Sequence, residues 1–413
     1  MSRIRLPWGA WYGDGWQELP VPPAWRVLTL PMTGAPALSP EECRCRLAAT
    51  IGTVPIRELA RNRRHAVVVV DDLTRPTPAA FLLPLVLEEL QVGGIDRRSI
   101  RILVGQATHR PLARPELLKK LGPLADELSV LSHTPYENLV SVGFTSSGTP
   151  VQFSRWYMEA DLRVTLGCVE PHPAYGFSGG VKLVFPGLAG IDAIHANHRP
   201  GHLRRGILAL DENAMRRDAE EAVRLAGLDA IVNAVVNTRR EVVGLFAGDC
   251  IAAHRAAAAF AESVYATPVP APADAVICNA YPKDTELIQV NNAVNVLSAA
   301  RTPVLRPGGV VIITTAASEG AGWHALANPG GRMYDRPPLD VLAKHPVLVY
   351  CPHGRQEDLP PSLPKGSVLL RDWPAVVAAA ERVIGPAPTV NCFTEGALQI
   401  PVAPGQRSEG GMI

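Results

Sequence analysis

The chain has 413 residues, enough for two domains, and its 40 Lys and Arg residues balance 39 Asp and Glu residues, which argues against binding to nucleic acid or anionic membranes. No apolar run approaches the roughly 18 residues of a membrane helix, and no apolar core follows the N-terminal arginines, so we expect a cytoplasmic protein without a secretory signal. Seven scattered cysteines indicate reduced thiols rather than a disulfide framework or a zinc ribbon.

Strands and helices are predicted to alternate along the first part of the chain. Short apolar runs are typical of buried parallel strands, and longer segments with helical spacing separate them. The predicted strands are 65–71, 100–104, 128–131, 162–166 and 231–236, and the predicted helices are 79–92, 116–121, 212–226 and 252–265. This order is the signature of βαβ units.

Alternating prolines between Tyr265 and Asp274 favour an extended linker, so we place a domain boundary there, giving domains 1–268 and 269–413. The pattern then restarts, with predicted strands at 275–279, 309–314, 347–350 and 367–370 and helices at 284–300 and 374–384. The sequence therefore predicts an α/β protein of two domains with largely parallel sheets. We expect the active site in the cleft between them, at the carboxyl ends of strands.

Polar side chains follow the first predicted strand. The turn at 71–78, Asp-Asp-Leu-Thr-Arg-Pro-Thr-Pro, offers carboxylates, a hydroxyl and a guanidinium at the binding edge of a sheet. Arg75 could hold a carboxylate or phosphate in two parallel hydrogen bonds, with Asp72 orienting it. The same residues could instead cap the next helix and shape its turn. Residue types alone leave both interpretations open.

His109 follows the next strand and should emerge at the same sheet edge as Arg75. A histidine that titrates near neutrality can serve as both acid and base. A single loop histidine is more often solvated or capping. Two adjacent strand ends that both carry polar side chains favour a functional site.

A Gly-rich loop lies further along, with Ser178, Gly179, Gly180 and Lys182 close together. Such a loop can bring backbone N–H groups, a hydroxyl and a cation to a phosphate. It is not a Walker loop, because one residue separates the glycines from the lysine and no hydroxyl follows; it also lacks the dinucleotide spacing. The alternative is a loop whose glycines need positive φ.

Three histidines follow this loop, at positions 195, 198 and 202. No Asp, Glu or Cys completes a known zinc spacing around them. A single imidazole ligand to a metal carried by another group therefore fits better than a cage made of protein alone. Surface histidines are the alternative.

Taken together, these stretches resemble the lactate racemase family, whose members carry a nickel-pincer nucleotide. The resemblance rests on four motifs in register: Asp-Asp-Leu-Thr-Arg-Pro-Thr-Pro at 71–78, Thr-His-Arg at 108–110, Glu-Pro-His through Ser-Gly-Gly-Val-Lys at 170–182, and His198. The family is likewise two α/β domains around a cleft. The resemblance implies an isomerase that racemises or epimerises 2-hydroxy acids.

The resemblance also implies a role for each matched residue. Lys182 would bind the nucleotide covalently, and His198 would be the protein ligand to a nickel otherwise held by two sulfurs and a ring carbon, an arrangement that suits Ni(II). His109 and His172 would exchange the hydroxyl proton from opposite sides as hydride moves, and Arg75 would polarise the substrate oxygen. Proteins that synthesise the cofactor would be partners. The nucleotide phosphate would lie near Asp72, Thr74, Ser178, Gly179 and Gly180.

One stretch departs from the lactate-type members, which present Tyr-Gln followed three residues later by Lys. Here it reads Ile-Gln289-Val-Asn-Asn292. The loss of a phenol and a cation removes a carboxylate clamp and leaves amides that bind neutral groups. We therefore expect Gln289 and Asn292 to bind a hydroxy acid other than lactate, larger or polyhydroxylated.

Two other functions stay open. His109 and His172 could abstract protons in a cofactor-independent epimerase or dehydratase, or the Gly-rich loop could simply bind a nucleotide or anion. Binding alone gives no reason for two histidines near an arginine, so the hydride-transferring racemase is the preferred hypothesis.

Overall fold

The computed structural model describes residues 2–199 and 206–405, which divide into two compact α/β units. The central unit is Ala35–Ala261. The terminal unit joins the residues up to Gly34 with those from Glu262 onward. The predicted fold class, two α/β domains with largely parallel sheets, is confirmed.

The boundaries of the units differ from the predicted domains 1–268 and 269–413. The N-terminal residues belong with the C-terminal part of the chain, because the strand Arg26–Leu30 pairs in parallel with Thr389–Phe393. A contact that spans more than 350 positions has no local signal in the sequence. The predicted first domain therefore includes N-terminal strands that lie in the terminal unit.

Strands and helices alternate along the chain as follows. The strands are β1 (Arg3–Trp8), β2 (Gly15–Pro20), β3 (Arg26–Leu30), β4 (Ala66–Val70), β5 (Ile100–Val104), β6 (Ser129–Ser132), β7 (Leu139–Phe144), β8 (Pro150–Ser154), β9 (Leu162–Cys168), β10 (Pro171–His172), β11 (Gly176–Phe177), β12 (Ala230–Val236), β13 (Val242–Gly248), β14 (Ala266–Pro268), β15 (Ala273–Asn279), β16 (Leu305–Thr314), β17 (Val347–Tyr350), β18 (Val368–Leu370), β19 (Thr389–Phe393) and β20 (Ile400–Val402). The α-helices are α1 (Pro40–Ala48), α2 (Ile56–Leu59), α3 (Ala79–Val92), α4 (Arg114–Leu121), α5 (Leu124–Glu127), α6 (Arg155–Met158), α7 (Ile191–Asn197), α8 (Ala214–Ala226), α9 (Ala252–Tyr265), α10 (Asn295–Ser298) and α11 (Trp373–Ile384). Short 3-10 helices lie at Arg97–Ser99, Gly180–Leu183, Leu287–Val294 and Gln356–Asp358.

The central unit is built on a sheet in the order β13-β12-β9-β4-β5-β6, in which β13 alone is antiparallel to its neighbour. Every residue of β4 is buried, as an apolar strand covered on both faces requires. The chain places β5 and β6 on one side of β4 and later β9 and β12 on the other. The switch point therefore lies between β4 and β9, where open α/β sheets bind ligands at the carboxyl ends of the strands.

The terminal unit contains a parallel sheet in the order β18-β17-β16-β15-β19-β3. One of its apolar clusters includes the β1-β2 hairpin and α11, and another includes the 3-10 helix Leu287–Val294. Its switch point lies between β15 and β19, because β16, β17 and β18 extend the sheet in the opposite direction.

Most predicted elements are confirmed to within a few residues, and α3, β5, α9 and β17 have the predicted bounds. The helix predicted over 284–300 is wrong: a 3-10 helix precedes the short α10. The N–H groups of Leu287 and Ile288 donate to the carbonyls of Gly320 and Ala321, so a neighbouring loop determines the conformation of this segment.

The proline-rich segment predicted as a linker is also different in the structure. Its first residues form β14, which pairs in parallel with β20. Proline is tolerated there because β14 has a ladder partner on one side only. In the described part of the chain, no helix is both long enough and apolar enough to cross a membrane.

Candidate active site

Three neighbouring strands of the central sheet, β9, β4 and β5, each end in a turn that carries predicted site residues. Arg75 follows β4, His109 follows β5, and Glu170 and His172 follow β9. The Nε atom of Arg75 lies 3.3 Å from Oε1 of Glu170, whose side chain is fully buried. This ion pair joins the turns on the two sides of the switch point.

His109 and Asp72 form a hydrogen-bonded pair. Nδ1 of His109 lies 2.6 Å from Oδ2 of Asp72, while the N–H and Oγ1–H of Thr74 donate to Oδ1 at 2.9 and 2.5 Å. Burial by itself raises the pKa of Asp72, but the charge and hydrogen bond of His109, with Arg75 and Thr74, hold that pKa well below its usual range. Because an ionised carboxylate can only accept, neutral His109 carries its proton on Nδ1 and its lone pair on Nε2.

Lys120, which the sequence analysis missed, binds the turn after β4 through its side chain. This lysine of α4 is fully buried; its Nζ lies 2.5 Å from Oδ1 of Asp71 and donates to the carbonyls of Asp72 and Arg75 at 2.9 and 3.1 Å. Burial raises the pKa of Asp71, and Lys120 opposes that effect. Lys120 lies four residues after Glu116 and therefore on the same, inward face of α4. This helical spacing is the sequence signal that could have distinguished Lys120 from the exposed Lys119.

Lys182, His172 and His198 surround the ring of Tyr175. The ring centroids of His172 and His198 lie 5.7 and 6.1 Å from that of Tyr175, and Nζ of Lys182 lies 5.4 Å from it. The Tyr175 hydroxyl donates to Oδ1 of Asn197 at 2.5 Å, which fixes the ring. The structure therefore brings together three predicted site residues from different motifs, around an aromatic side chain that the sequence analysis missed.

The two histidines of this cluster use their Nδ1 atoms in opposite ways. Nδ1 of His198 lies 2.8 Å from the carbonyl oxygen of Ile194. Because a carbonyl can only accept, this Nδ1 is the donor and carries a proton. Nδ1 of His172 accepts from the backbone N–H groups of Ala174 and Tyr175, both at 3.2 Å. Neutral His198 therefore has its lone pair on Nε2, whereas neutral His172 has its proton there.

The Gly-rich loop has the positive-φ glycines that one of its two interpretations required, with φ 75° at Gly179 and 58° at Gly180. The hydroxyl of Ser178 donates to the carbonyl of Cys168 at 2.8 Å, and the N–H of Gly180 donates to Oδ1 of Asn233 at 2.9 Å. These contacts shape the loop from within. Phosphate binding by Ser178, Gly179 and Gly180 stays a prediction.

Two buried side chains, Arg216 and His254, donate hydrogen bonds to backbone carbonyls of the Gly-rich loop and the turn before it. No sequence motif indicated either residue. Arg216 of α8 donates from Nε and Nη2 to the carbonyls of Tyr175 and Phe177, at 2.9 and 2.5 Å. His254 of α9 donates from Nε2 to the carbonyl of Ser178 at 2.8 Å, and burial keeps its pKa well below the usual range. A Cβ on Gly180 would lie 2.7 Å from Cδ2 of His254, so this position requires glycine.

The predicted substrate residues Gln289 and Asn292 lie in the terminal unit, in the 3-10 helix after β15. Nε2 of Gln289 donates to Oε2 of Glu286 at 3.1 Å, and Nδ2 of Asn292 donates to the carbonyl of Gln289 at 3.0 Å. Their role stays a prediction. His202 lies outside the described residues, and within those residues no group of three or more His, Cys, Asp or Glu side chains could hold a metal ion.

Comparison with known proteins gives consistent matches. A family model described as the lactate racemase N-terminal domain matches residues 12–205. The chain is 32% identical over 320 residues to a lactate racemase of Thermoanaerobacterium thermosaccharolyticum, covering 75% of this chain and 72% of the relative. It is 33% identical over 291 residues to a lactate racemase of Lactiplantibacillus plantarum, covering 67% of each.

Solved structures agree with the sequence relatives. The lactate racemase apoprotein of T. thermosaccharolyticum superposes with a TM-score of 0.76 and 25% identity, covering 97% of this chain and 100% of the other. A protein from Thermotoga maritima superposes with a TM-score of 0.66 over 89% of this chain and 99% of the other, and at 15% identity it shows the fold alone.

Proposed function

The chain belongs to the lactate racemase family and is an isomerase, and from that premise we propose that it inverts a stereocentre of a 2-hydroxy acid by reversible hydride transfer. The cofactor in this proposal is a nickel-pincer nucleotide bound covalently to Lys182. When bound, the nucleotide supplies a ring carbon that accepts hydride from the carbinol carbon of the substrate.

The cluster around Tyr175 carries this proposal, because its residues fit such a group. A metal-ligating histidine usually donates its other ring N–H to a carbonyl or carboxylate, and His198 donates Nδ1–H to the carbonyl of Ile194. Its Nε2 lone pair is therefore the one suited to nickel. Lys182 lies against the same aromatic ring as His198, so an amine for covalent attachment and an imidazole for the metal come together.

The proton chemistry is assigned to the pair of His109 and Asp72. Nε2 of His109 takes the hydroxyl proton of the substrate as the carbinol C–H bond breaks, and the Asp72 carboxylate stabilises the imidazolium that results. Because its carboxylate is engaged by His109, we assign Asp72 a positioning role instead of the phosphate contact expected from the sequence. Arg75, held by buried Glu170, places positive charge at this sheet edge to polarise the substrate oxygen.

Attachment of the cofactor is tested by mass and metal analysis of protein from cells that also produce the cofactor-synthesising partners. Wild-type protein is expected to carry one nickel and a mass increment that Lys182→Ala abolishes. The exposed Lys344 provides a matched control, since Lys344→Ala should keep both. A Lys182→Ala protein that keeps both the increment and the nickel would contradict the assignment.

Hydride transfer is tested by inversion in deuterated water. If the hydrogen moves as hydride through the cofactor, product forms without deuterium at the inverted carbon. A cofactor-independent epimerase that uses His109 and His172 as carbon bases would instead introduce solvent deuterium at every turnover. Full incorporation would therefore replace this proposal with the alternative function.

The substrate is tested with a panel of 2-hydroxy acids and cofactor-loaded protein. Since Gln289 and Asn292 stand where lactate-type members have a glutamine and a lysine, we expect turnover of larger or polyhydroxylated acids to exceed that of lactate. Lactate as the best substrate of the panel would contradict this part of the proposal.

A further inference from the structure

The two candidate acid/base histidines are not equivalent in the structure. We propose, on the basis of the function proposed above, that His109 alone exchanges the hydroxyl proton in both directions of the reaction. His172 then acts as a neutral imidazole that donates a hydrogen bond from Nε2 to the substrate oxygen.

The hydrogen bonds at each Nδ1 carry this inference. Nδ1 of His109 faces an acceptor, the Asp72 carboxylate at 2.6 Å, so imidazolium can form by adding a proton at Nε2 without losing that bond. Nδ1 of His172 faces two donors, the backbone N–H groups of Ala174 and Tyr175 at 3.2 Å. Imidazolium at His172 would place a third N–H against those two and forfeit both bonds.

The fold makes the donors at His172 difficult to move. His172 and Gly176 are cross-strand partners in the β10-β11 hairpin, and Ala174 and Tyr175 lie in the turn between them. The carbonyl of Tyr175 also accepts from Nε of buried Arg216 at 2.9 Å. The turn N–H groups are therefore fixed by the hairpin and by α8, and a base role for His172 would require this turn to rearrange.

A single base is sufficient for inversion. In the forward direction His109 Nε2 would accept the hydroxyl proton while the carbinol hydrogen left with its electron pair, and the C–O bond would become a carbonyl; the nucleotide held by Lys182 and His198 would supply the hydride acceptor. A rotation of the planar keto acid by half a turn about its C=O axis leaves the oxygen in place and presents the other face. Return of the hydride to that face and of the proton from His109 to the oxygen would give the opposite configuration, with atoms and charge in balance.

Glutamine variants separate a donor from a base, because a glutamine amide can donate near the position of Nε2 but cannot accept a proton. We expect His172→Leu to lower kcat of the loaded enzyme by roughly 10²–10³, as for loss of one donor to a developing oxyanion, and His172→Gln to recover most of that loss. His109→Gln should recover nothing relative to His109→Leu. Equal losses in His172→Gln and His172→Leu would overturn the proposal.

The tautomers are measurable in the protein without cofactor or substrate. Long-range proton–nitrogen correlation spectra of ¹⁵N-histidine protein, assigned with the two variants, should show protonated Nε2 in neutral His172 and protonated Nδ1 in neutral His109. Protonated Nδ1 at His172 would overturn the inference even if the enzyme is an active racemase. Failure of hydride transfer in deuterated water, with these tautomers observed, would instead count against the proposed function.

Discussion

Asp72 in the central unit and Asp284 in the terminal unit are both buried carboxylates in the turn after a switch-point strand. Their pKa values are nevertheless shifted in opposite directions. The pKa of Asp72 lies well below its usual range, although burial raises it, because His109 and Arg75 lie nearby. Burial raises the pKa of Asp284 to about 6, although it accepts from the N–H groups of Gly9 and Ala10 at 2.8 and 3.1 Å.

The difference shows what a buried carboxylate needs in order to stay charged. Two backbone donors offset only part of the desolvation cost of Asp284, whereas a titratable ring and a guanidinium reverse it at Asp72. The pair at Asp72 can therefore stabilise a cation that forms during a reaction. The carboxyl of Asp284 fixes the N-terminal Gly9-Ala10 turn to the end of β15, a structural task for which full ionisation is unnecessary.

The largest expected effect comes from Asp72→Asn. Thr74 donates to Oδ1, so the new amide NH₂ would take the Oδ2 position, face Nδ1 of His109 and force the tautomer with protonated Nε2. We expect kcat of the loaded enzyme to fall by roughly 10³–10⁴, as for a triad aspartate. Asp126→Asn, in an exposed ion pair with Arg114, is the control and should retain activity. A loss below tenfold in Asp72→Asn would contradict the pairing.

The next largest effect is expected at Lys120, the buried cation under the same turn. Lys120→Met removes the buried cation that pairs with the Asp71 carboxylate and donates to two carbonyls, so the free energy of unfolding should fall by about 3–5 kcal/mol. Lys119→Met, on the exposed side of the same helix, should change it by under about 0.5 kcal/mol. Urea unfolding measures both values, and equal values would show that Lys120 is not an essential partner of Asp71.

Asp284 should make stability depend on pH with a sign opposite to that of Asp72. A folded-state pKa of about 6 against an ordinary value of 3.8 means that its contribution is full below pH 4 and is lost as the pH rises through 6. The loss amounts to about 3 kcal/mol. Asp72 has a lowered pKa, so its contribution to stability is instead present above pH 3.8, its ordinary pKa. That contribution is lost as the pH falls below 3.8.

Unfolding of wild type, Asp284→Asn and Asp72→Asn between about pH 2 and pH 7 tests this difference. The stability of wild type relative to Asp284→Asn should decrease as the pH rises from about 4 through 6. Its stability relative to Asp72→Asn should increase as the pH rises from about 2 to 4 and should be flat above that. Slopes of the same sign for the two pairs would show that the two carboxylates are not distinguished by their partners.

The sequence predicted the parts of the fold and site that depend on local pattern. The strand ends that carry Arg75, His109 and His172 follow from apolar runs and from the geometry of parallel sheets. Lys120 and Arg216 could not be found in this way, because each lies on a helix and meets a turn far along the chain. The conformation of 284–300 was missed for a similar reason, since carbonyls near residue 320 accept its first N–H groups.

The smallest expected effect isolates one hydrogen bond to each of two adjacent carboxylates. The Oγ1 atoms of Thr74 and Thr77 donate to Asp72 and Asp71, both at 2.5 Å and both buried. Thr74→Val and Thr77→Val should each lower the free energy of unfolding by roughly 1–2 kcal/mol, since each removes a hydrogen bond to a charged group.

Only Thr74→Val should also raise the pKa of Asp72 and reduce kcat, by up to about tenfold, because only Thr74 fixes the carboxylate that orients His109. In the Asp72→Asn background the kcat effect of Thr74→Val should shrink. A kcat loss that persists there, or that Thr77→Val reproduces, would mean that the threonine acts through general packing of the turn and not through Asp72.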